Sequence, residues 1–332
     1  MKSEHIYIHF PFCVSKCPYC DFFSVAVNEA SVHQKYIEYI LKEIEKYKDF
    51  VPDTLKTLYI GGGTPSLIEP VSLKKIINRF EINSSTEVTL EVNPATVNAD
   101  KLKMYYDLGI NRLSVGSQSF IDKELKTLGR SHSVNDIYKT YENARKAGFK
   151  NINLDLIIGI PGQTTASIIY NTYEVTQLAP EHVSAYILTY YEDTPLARKL
   201  NDGSLIKLED EIEIEFFDLT SDILEKHGLK RYEISNFSKE GNFSRHNMNT
   251  WDFGNYLGLG ASAHSFINGY RWENTDSTDH YFKSVLKTET GISEVNRIDD
   301  KTLKNEFVIL GLRKTAGLNI NSYNEYFKSD FF

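Results

Sequence analysis

Cys13, Cys17 and Cys20 are the only cysteines of the 332-residue chain, and all three lie in FCVSKCPYCDFF (12–23). Thiolates are the standard ligands of iron–sulfur clusters, and Cys-x3-Cys-x2-Cys on one short loop can wrap three corners of a cubane. One iron then lacks a protein ligand. Such an open position can take a chelating small molecule, as open metal positions do in catalytic sites generally. The alternative is a structural zinc ion with His9 or Asp21 as fourth ligand, although closed zinc sites favour two separated ligand pairs.

Other residues with chemical potential recur at the ends of strand-like segments. HIYIHF (5–10) runs into the cysteine loop. TLYIGGG (57–63) ends in GGGTPS, and TEVTLEVN (86–93) alternates with period two and carries Glu91 on the face of Thr89 and Asn93. RLSVGSQ (112–118) ends at Gln118, and NINLDLIIG (151–159) holds Asp155 in an apolar run. HVSAYILT (182–189) is a sixth strand. In α/β folds ligands gather at the C-terminal ends of parallel strands. Singly, Glu91 or Asp155 reads as a satisfied core carboxylate; with the cysteines, these residues read as one site. GGGT has no following lysine and is not a phosphate loop. It is either a tight strand-to-helix turn or a place of close backbone approach to a ligand.

Helical spacing over 33–48, 71–80, 98–108, 134–147, 165–178 and 209–227 alternates with these strands. Six β-α units in series predict a parallel sheet covered by helices, either a full or partial barrel or an open sheet. The expected organisation is a unit over 1–228, an accessory region of short strands and Gly-rich chain over 229–300 that completes the site, and the start of a small helical C-terminal domain over 301–332, either truncated or naturally short. Hydrophobic residues at 41% and charged residues at 25% suit a folded core. The net charge of −8 argues against broad nucleic-acid binding. The start of the chain lacks a signal-peptide h-region, and no run approaches the ~18 apolar residues of a membrane span. A cytoplasmic location is the expectation, and clustered cysteines there are metal ligands or redox groups.

The cysteine spacing with Tyr19 before the third cysteine resembles the radical S-adenosylmethionine (SAM) superfamily. YIHFPFC, YIGGGTPS, LEVNP, LSVGSQSF, LGRSH, NLDLIIGIPGQT and LGLGASAHSF, in that order, resemble its oxygen-independent coproporphyrinogen oxidase branch. The resemblance implies a partial (β/α)6 barrel with a C-terminal accessory region. It implies a [4Fe–4S] cluster on Cys13, Cys17 and Cys20, with the amino and carboxylate groups of SAM on the fourth iron. One electron from such a cluster cleaves SAM to methionine and a 5′-deoxyadenosyl radical. By the same resemblance Tyr7 lies near the sulfonium, and Gly62, Gly63 and Thr64 hold the methionine amino group. Glu91, Gln118, Arg130 and Asp155 contact the carboxylate, ribose or neighbouring atoms. The residue types suit those roles: arginine forks onto carboxylates, and an acidic group accepts from ribose hydroxyls.

Within the branch, the oxidase carries a fourth cysteine two places after the third and a long segment before the cluster. Here Phe22 holds that position and twelve residues precede Cys13. Both departures resemble the heme chaperone subgroup, marked by His-Asn-x-x-Tyr-Trp. RHNMNTW (245–251) matches at His246, Asn247 and Trp251, with Thr250 replacing tyrosine. This resemblance implies a heme role for His246 as axial ligand, with Trp251 covering a porphyrin face and His264 as a weaker candidate. Its partners are heme, a heme-accepting protein and an electron donor. The alternatives are the oxidase itself or another radical SAM enzyme of porphyrin metabolism.

Overall fold

The computed structural model describes residues 2–331. Its centre is a run of six parallel strands: β1 (His5–Phe10), β2 (Thr57–Gly62), β3 (Glu87–Val92), β4 (Arg112–Gln118), β5 (Asn151–Ile158) and β6 (His182–Ile187). The helices between them are α1 (Ala30–Lys46), α2 (Pro70–Ile77), α3 (Ala99–Asp107), α4 (Asp122–Thr127), α5 (Val134–Ala147) and α6 (Thr165–Leu178). After β6 come α7 (Pro195–Asn201) and α8 (Asp210–Lys226). The six units expected from the sequence are present. The short helices α4 and α7 are additional, because six or seven residues carry too little periodicity to be read as helices.

Strand periodicity sorts the side chains. Ile6, Ile8, Leu58, Ile60, Val88 and Leu90 alternate along the first three strands and are all buried in one core with the helices. The intervening residues are polar and bond to one another across the other face: His5 to Thr57, Tyr59 to Glu91, Asn153 to Ser114. The sheet thus has an apolar outer face and a polar inner one. Caps set the helix limits. Ser133 and Asp136 form a reciprocal capping box at the start of α5, which ends on Gly148 at φ 114°.

Among the described residues the sheet has nine strands in an open order. Strand β7 (Asn236–Ser238) pairs antiparallel with β6 and carries Lys230–Arg231 at the far edge. Strand β8 (Leu257–Leu259) pairs parallel with β1 at the other edge. Between them, α9 (Arg245–Trp251) sits at the N-terminal ends of the strands, where the Glu87 carboxylate accepts from Arg245 N at 3.1 Å and His246 N at 3.2 Å. A carboxylate at a helix N-terminus satisfies otherwise orphaned N–H groups. The helix closes the floor of the curved sheet.

A second, three-stranded antiparallel sheet follows: β9 (His264–Ile267), β10 (Tyr270–Asn274) and β11 (Ile292–Arg297), with α10 (Thr278–Thr288) between the last two. It is tied to α1 through Glu43, which is fully buried and accepts from Gly260 N at 2.8 Å, Gly291 N at 3.0 Å, Asn274 Nδ2 at 2.8 Å and the Tyr281 hydroxyl at 2.8 Å. The terminal helices α11 (Asp300–Leu312) and α12 (Ile320–Phe327) share a small core with Phe253 and Phe266. Arg313 stacks over Trp251 with its guanidinium carbon 4.2 Å from the ring centroid, and Lys314 pairs with Asp252. The C-terminal piece therefore braces the end of α9.

Glu43→Ala would strand four buried donors at once. Each unmade buried hydrogen bond costs about 1–3 kcal/mol, and water entering the cavity would recover part of that. The expected loss is at least about 3 kcal/mol in chemical denaturation of the purified chain.

Candidate functional site

A cavity of 440 Å³ opens at the C-terminal ends of the parallel strands. Its wall includes Gly62, Gly63 and Thr64 after β2, Glu91 on β3, Gln118 at the end of β4, Arg130 after α4 and Asp155 on β5. Seven of the eight residues assigned to SAM are thus brought together. Tyr7 is the exception: it does not line the cavity, and its hydroxyl pairs with His9 Nδ1 at 3.0 Å.

The cysteine loop hangs over this wall. Cys20 lines the cavity directly. Cys13 Sγ accepts from Thr64 Oγ1 at 3.4 Å, and Cys17 Sγ accepts from Arg130 Nη1 at 3.7 Å. The glycine turn fits this loop closely. A Cβ on Gly63 would lie 2.8 Å from Phe12 O and 2.9 Å from Cys13 Sγ, and Gly62 sits at φ 114° against the His9 ring. GGGT makes a tight turn with Gly62 left-handed, and its close backbone neighbour is the cysteine loop. Burial raises the Cys13 and Cys20 thiols, with the Thr64 hydroxyl opposing this at Cys13.

His9 is not free to complete a zinc site. His9 is held by the Tyr7 hydroxyl at one ring nitrogen and by Phe23 O at the other, at 2.9 Å. Among the described residues no three Cys, His, Asp or Glu side chains converge as a single ion would need. A cubane offers its irons at separate corners, so three thiols around a loop fit it without converging. Arg130 Nε is buried with no hydrogen-bond partner among the described residues, leaving a donor beside the loop. The donor set therefore suits a cluster with a small-molecule ligand at its open iron.

The carboxylates are controlled by their depth. Burial pushes Glu91 up to about 7, opposed by bonds from the Tyr59 hydroxyl at 2.8 Å and Gly62 N at 3.0 Å. Burial also raises Asp155, opposed by Asn153. Gln118 adopts φ 65°, and the β4–β5 register shifts between Val115 and Gln118. A left-handed non-glycine residue at a bulge is a strained position of the kind found at functional sites. Arg130 Nη2 donates to Gly116 O at 3.0 Å, which fixes the guanidinium beneath Cys17.

The wall also contains residues that sequence reasoning passed over: Tyr59, Ser114, Tyr186, Ile187 and Tyr191. Tyr59 and Ser114 occupy inward strand positions, so the period-two alternation was the available signal. Phe22 is 68% exposed at the mouth. His246, Trp251 and His264 are not part of the wall. His246 lies on the floor, buried, with Nδ1 at 2.7 Å from Thr57 Oγ1 and its ring 5.2 Å from that of Tyr59. Burial, together with His5 and Arg112, lowers it to about 3, so it is a neutral imidazole. Trp251 is covered by Arg313, and His264 is exposed beside Glu273. No residue of 229–300 reaches the cavity wall. That region closes the floor and the β1 edge.

Residues 7–169 match the model of the Radical SAM superfamily. A β/α half-barrel with a three-cysteine loop above a glycine turn is the architecture of that class, whose cofactors are a [4Fe–4S] cluster and SAM. The chain is 37% identical to the "Heme chaperone HemW" of Bacillus subtilis over 332 residues, covering 98% of this chain and 86% of the relative. It is 34% identical to the protein of the same name from Escherichia coli over 267 residues, covering 79% and 70%. The chain belongs to the HemW family of radical SAM proteins. Its fold superposes on the E. coli coproporphyrinogen III oxidase HemN with a TM-score of 0.85 at 21% identity, covering 98% of this chain and 79% of that one.

Two outcomes follow from the geometry. Gly63→Ala forces Cys13 or the Phe12 carbonyl to move, so iron per chain after anaerobic reconstitution should fall at least several-fold while far-ultraviolet circular dichroism stays unchanged. For Glu91, a raised folded pKa means that the folded chain holds the proton more tightly than the unfolded one. Stability of the ligand-free chain should therefore decline as pH rises from about 4.5 through 7, by up to about 3 kcal/mol from this group. Glu91→Gln should flatten that part of the pH profile in denaturant titrations.

Proposed function

We propose that the chain is a heme chaperone that binds heme and passes it to an acceptor protein, with a SAM-completed [4Fe–4S] cluster at its cavity. The observation that carries this reading is likeness over nearly the whole chain to proteins named heme chaperone HemW, at 37% and 34% identity for the first two relatives. Cys13, Cys17 and Cys20 hold the cluster. Gly62, Gly63, Thr64, Glu91, Gln118, Arg130 and Asp155 hold SAM. When bound, these cofactors supply one-electron chemistry; the chain contributes a walled cavity, fixed donors and an apolar mouth. An electron donor serves the cluster. The cytoplasm is the compartment that keeps three clustered thiols reduced, and no helix among the described residues is long and apolar enough to cross a membrane.

His246 is the proposed axial ligand of heme. Thr57 Oγ1 lies between His246 Nδ1 and His5 Nδ1, at 2.7 and 2.9 Å. With Nδ1–H donated to Thr57, the unprotonated Nε2 is the nitrogen free for a metal, and such an orienting bond at the other ring nitrogen is usual for metal-binding histidines. As folded, the ring is covered by the Tyr59 and Tyr7 side, so heme reaches it only when α9 moves off the floor. A slow heme-binding phase is the consequence.

Oxidase chemistry is the second reading, favoured by the fold match alone. Against it stands Phe22 in place of the oxidase's fourth cysteine. Heme titration of the anaerobically reconstituted chain decides the first reading. The expected result is a saturable Soret shift that His246→Ala weakens at least tenfold, with no turnover of coproporphyrinogen III in the presence of SAM and a reductant. Absence of the shift in the wild type contradicts the chaperone reading. An unchanged shift in the variant contradicts the role of His246.

A further inference from the structure

A continuous line of buried hydrogen bonds runs from the cavity wall to the floor helix. Asn153 Nδ2 donates to Asp155 Oδ1 at 2.7 Å and to Ser114 Oγ at 2.8 Å. Asn153 Oδ1 faces His182 Nδ1 at 2.6 Å and accepts from Ser184 Oγ at 3.2 Å. His182 Nε2 faces the Tyr232 hydroxyl at 2.8 Å, and that hydroxyl oxygen accepts from Ser244 N at 3.2 Å. Asn153 and His182 are 1% and 0% exposed, so their partners are protein groups and not bulk solvent.

The chemistry leaves this line one polarity. Asp155 as a carboxylate only accepts, so the amide nitrogen of Asn153 must face it and the amide oxygen must face His182. His182 then carries its proton on Nδ1. Its burial beside Arg112 keeps it neutral, so Nε2 is an acceptor and the Tyr232 hydroxyl is its donor. Ser244 N–H completes the series on the free lone pair of Tyr232. Every donor points toward Asp155. A reversed histidine tautomer would set a lone pair against Asn153 Oδ1 and favour an amide flip that turns a carbonyl onto the carboxylate.

We infer that Asn153, locked in orientation by His182 and Tyr232, is the positioning residue that keeps Asp155 an ionised acceptor for the ribose hydroxyls of SAM. The inference rests on the assignment of Asp155 to SAM made above. The other charged and titratable groups that face Asp155 are Arg112, Arg130, Glu91, Tyr59 and Tyr186. They are common to all variants below, so differences between variants isolate the line of hydrogen bonds. Removing the Asn153 donor takes away a bond to the charged form, and the carboxylate then protonates at higher pH.

The test is SAM affinity by equilibrium dialysis of the reconstituted full chain from pH 5.5 to 8.5. Wild type is compared with Asp155→Asn, Asn153→Leu and Tyr232→Phe. In Asn153→Leu the acid limb of binding should move up by about one pH unit, with affinity on the alkaline plateau within about twofold of wild type. Tyr232→Phe, which removes one oxygen remote from the cavity, should move the limb the same way by less. Should Asn153→Leu not fold, Tyr232→Phe decides alone. Uniform weakening at every pH, or an unmoved limb, would overturn the inference. Wild-type affinity in Asp155→Asn would instead overturn the assignment beneath it.

Discussion

A polar lumen walled by an apolar core has to satisfy its own hydrogen bonds, and the rest of this structure follows from that constraint. The inner faces of β1 to β6 carry histidines, tyrosines, carboxylates, amides and an arginine where many α/β barrels pack aliphatic side chains. Buried polar groups without partners are costly. The lumen meets the demand by wiring strand to strand: Tyr59 to Glu91, Asn153 to Ser114 and Asp155, His182 to Asn153. Glu87 does the same for the floor by capping α9, and Glu43 for the accessory sheet by gathering four donors. Beyond the strand ends, in the loop after α4, Arg130 Nε has no hydrogen-bond partner among the described residues, and there the cavity begins.

Much of this was legible in the sequence. Alternation such as TEVTLEVN is the mark of a strand facing two environments, and the residues on its polar face, Thr89 and Glu91, do line the lumen. Each of the polar residues marked at a strand end lies at the cavity, because parallel strands deliver their C-terminal ends to one rim whatever their separation in sequence. The cysteine loop was read from spacing alone. Tyr7 has the inward parity of its strand but does not line the cavity; it lies in register beside Tyr59, with its hydroxyl bonded to His9. Tyr186 went unremarked because an aromatic side chain on a strand usually signals core, and Tyr191 because it lies in the loop beyond β6.

The least legible part lay beyond residue 229. Its helix α9 has seven residues, too few for a periodic signal, and its place on the floor is fixed by Glu87, far away in sequence. The resemblance motif put His246 and the cysteines in one functional frame, yet the fold sets them at opposite ends of the lumen. The proposed heme ligand on the floor and the proposed SAM site at the mouth share the same polar interior. Arg313 and Lys314 brace α9 from the C-terminal piece, through Trp251 and Asp252.

The central claim is that three cysteines leave one iron for SAM at the mouth of this lumen. It is tested most directly by electron paramagnetic resonance of the reconstituted, reduced chain with and without SAM. The account predicts a [4Fe–4S]⁺ signal whose g values change on adding SAM. A cluster signal indifferent to SAM, or metal analysis showing zinc in place of iron, would contradict it.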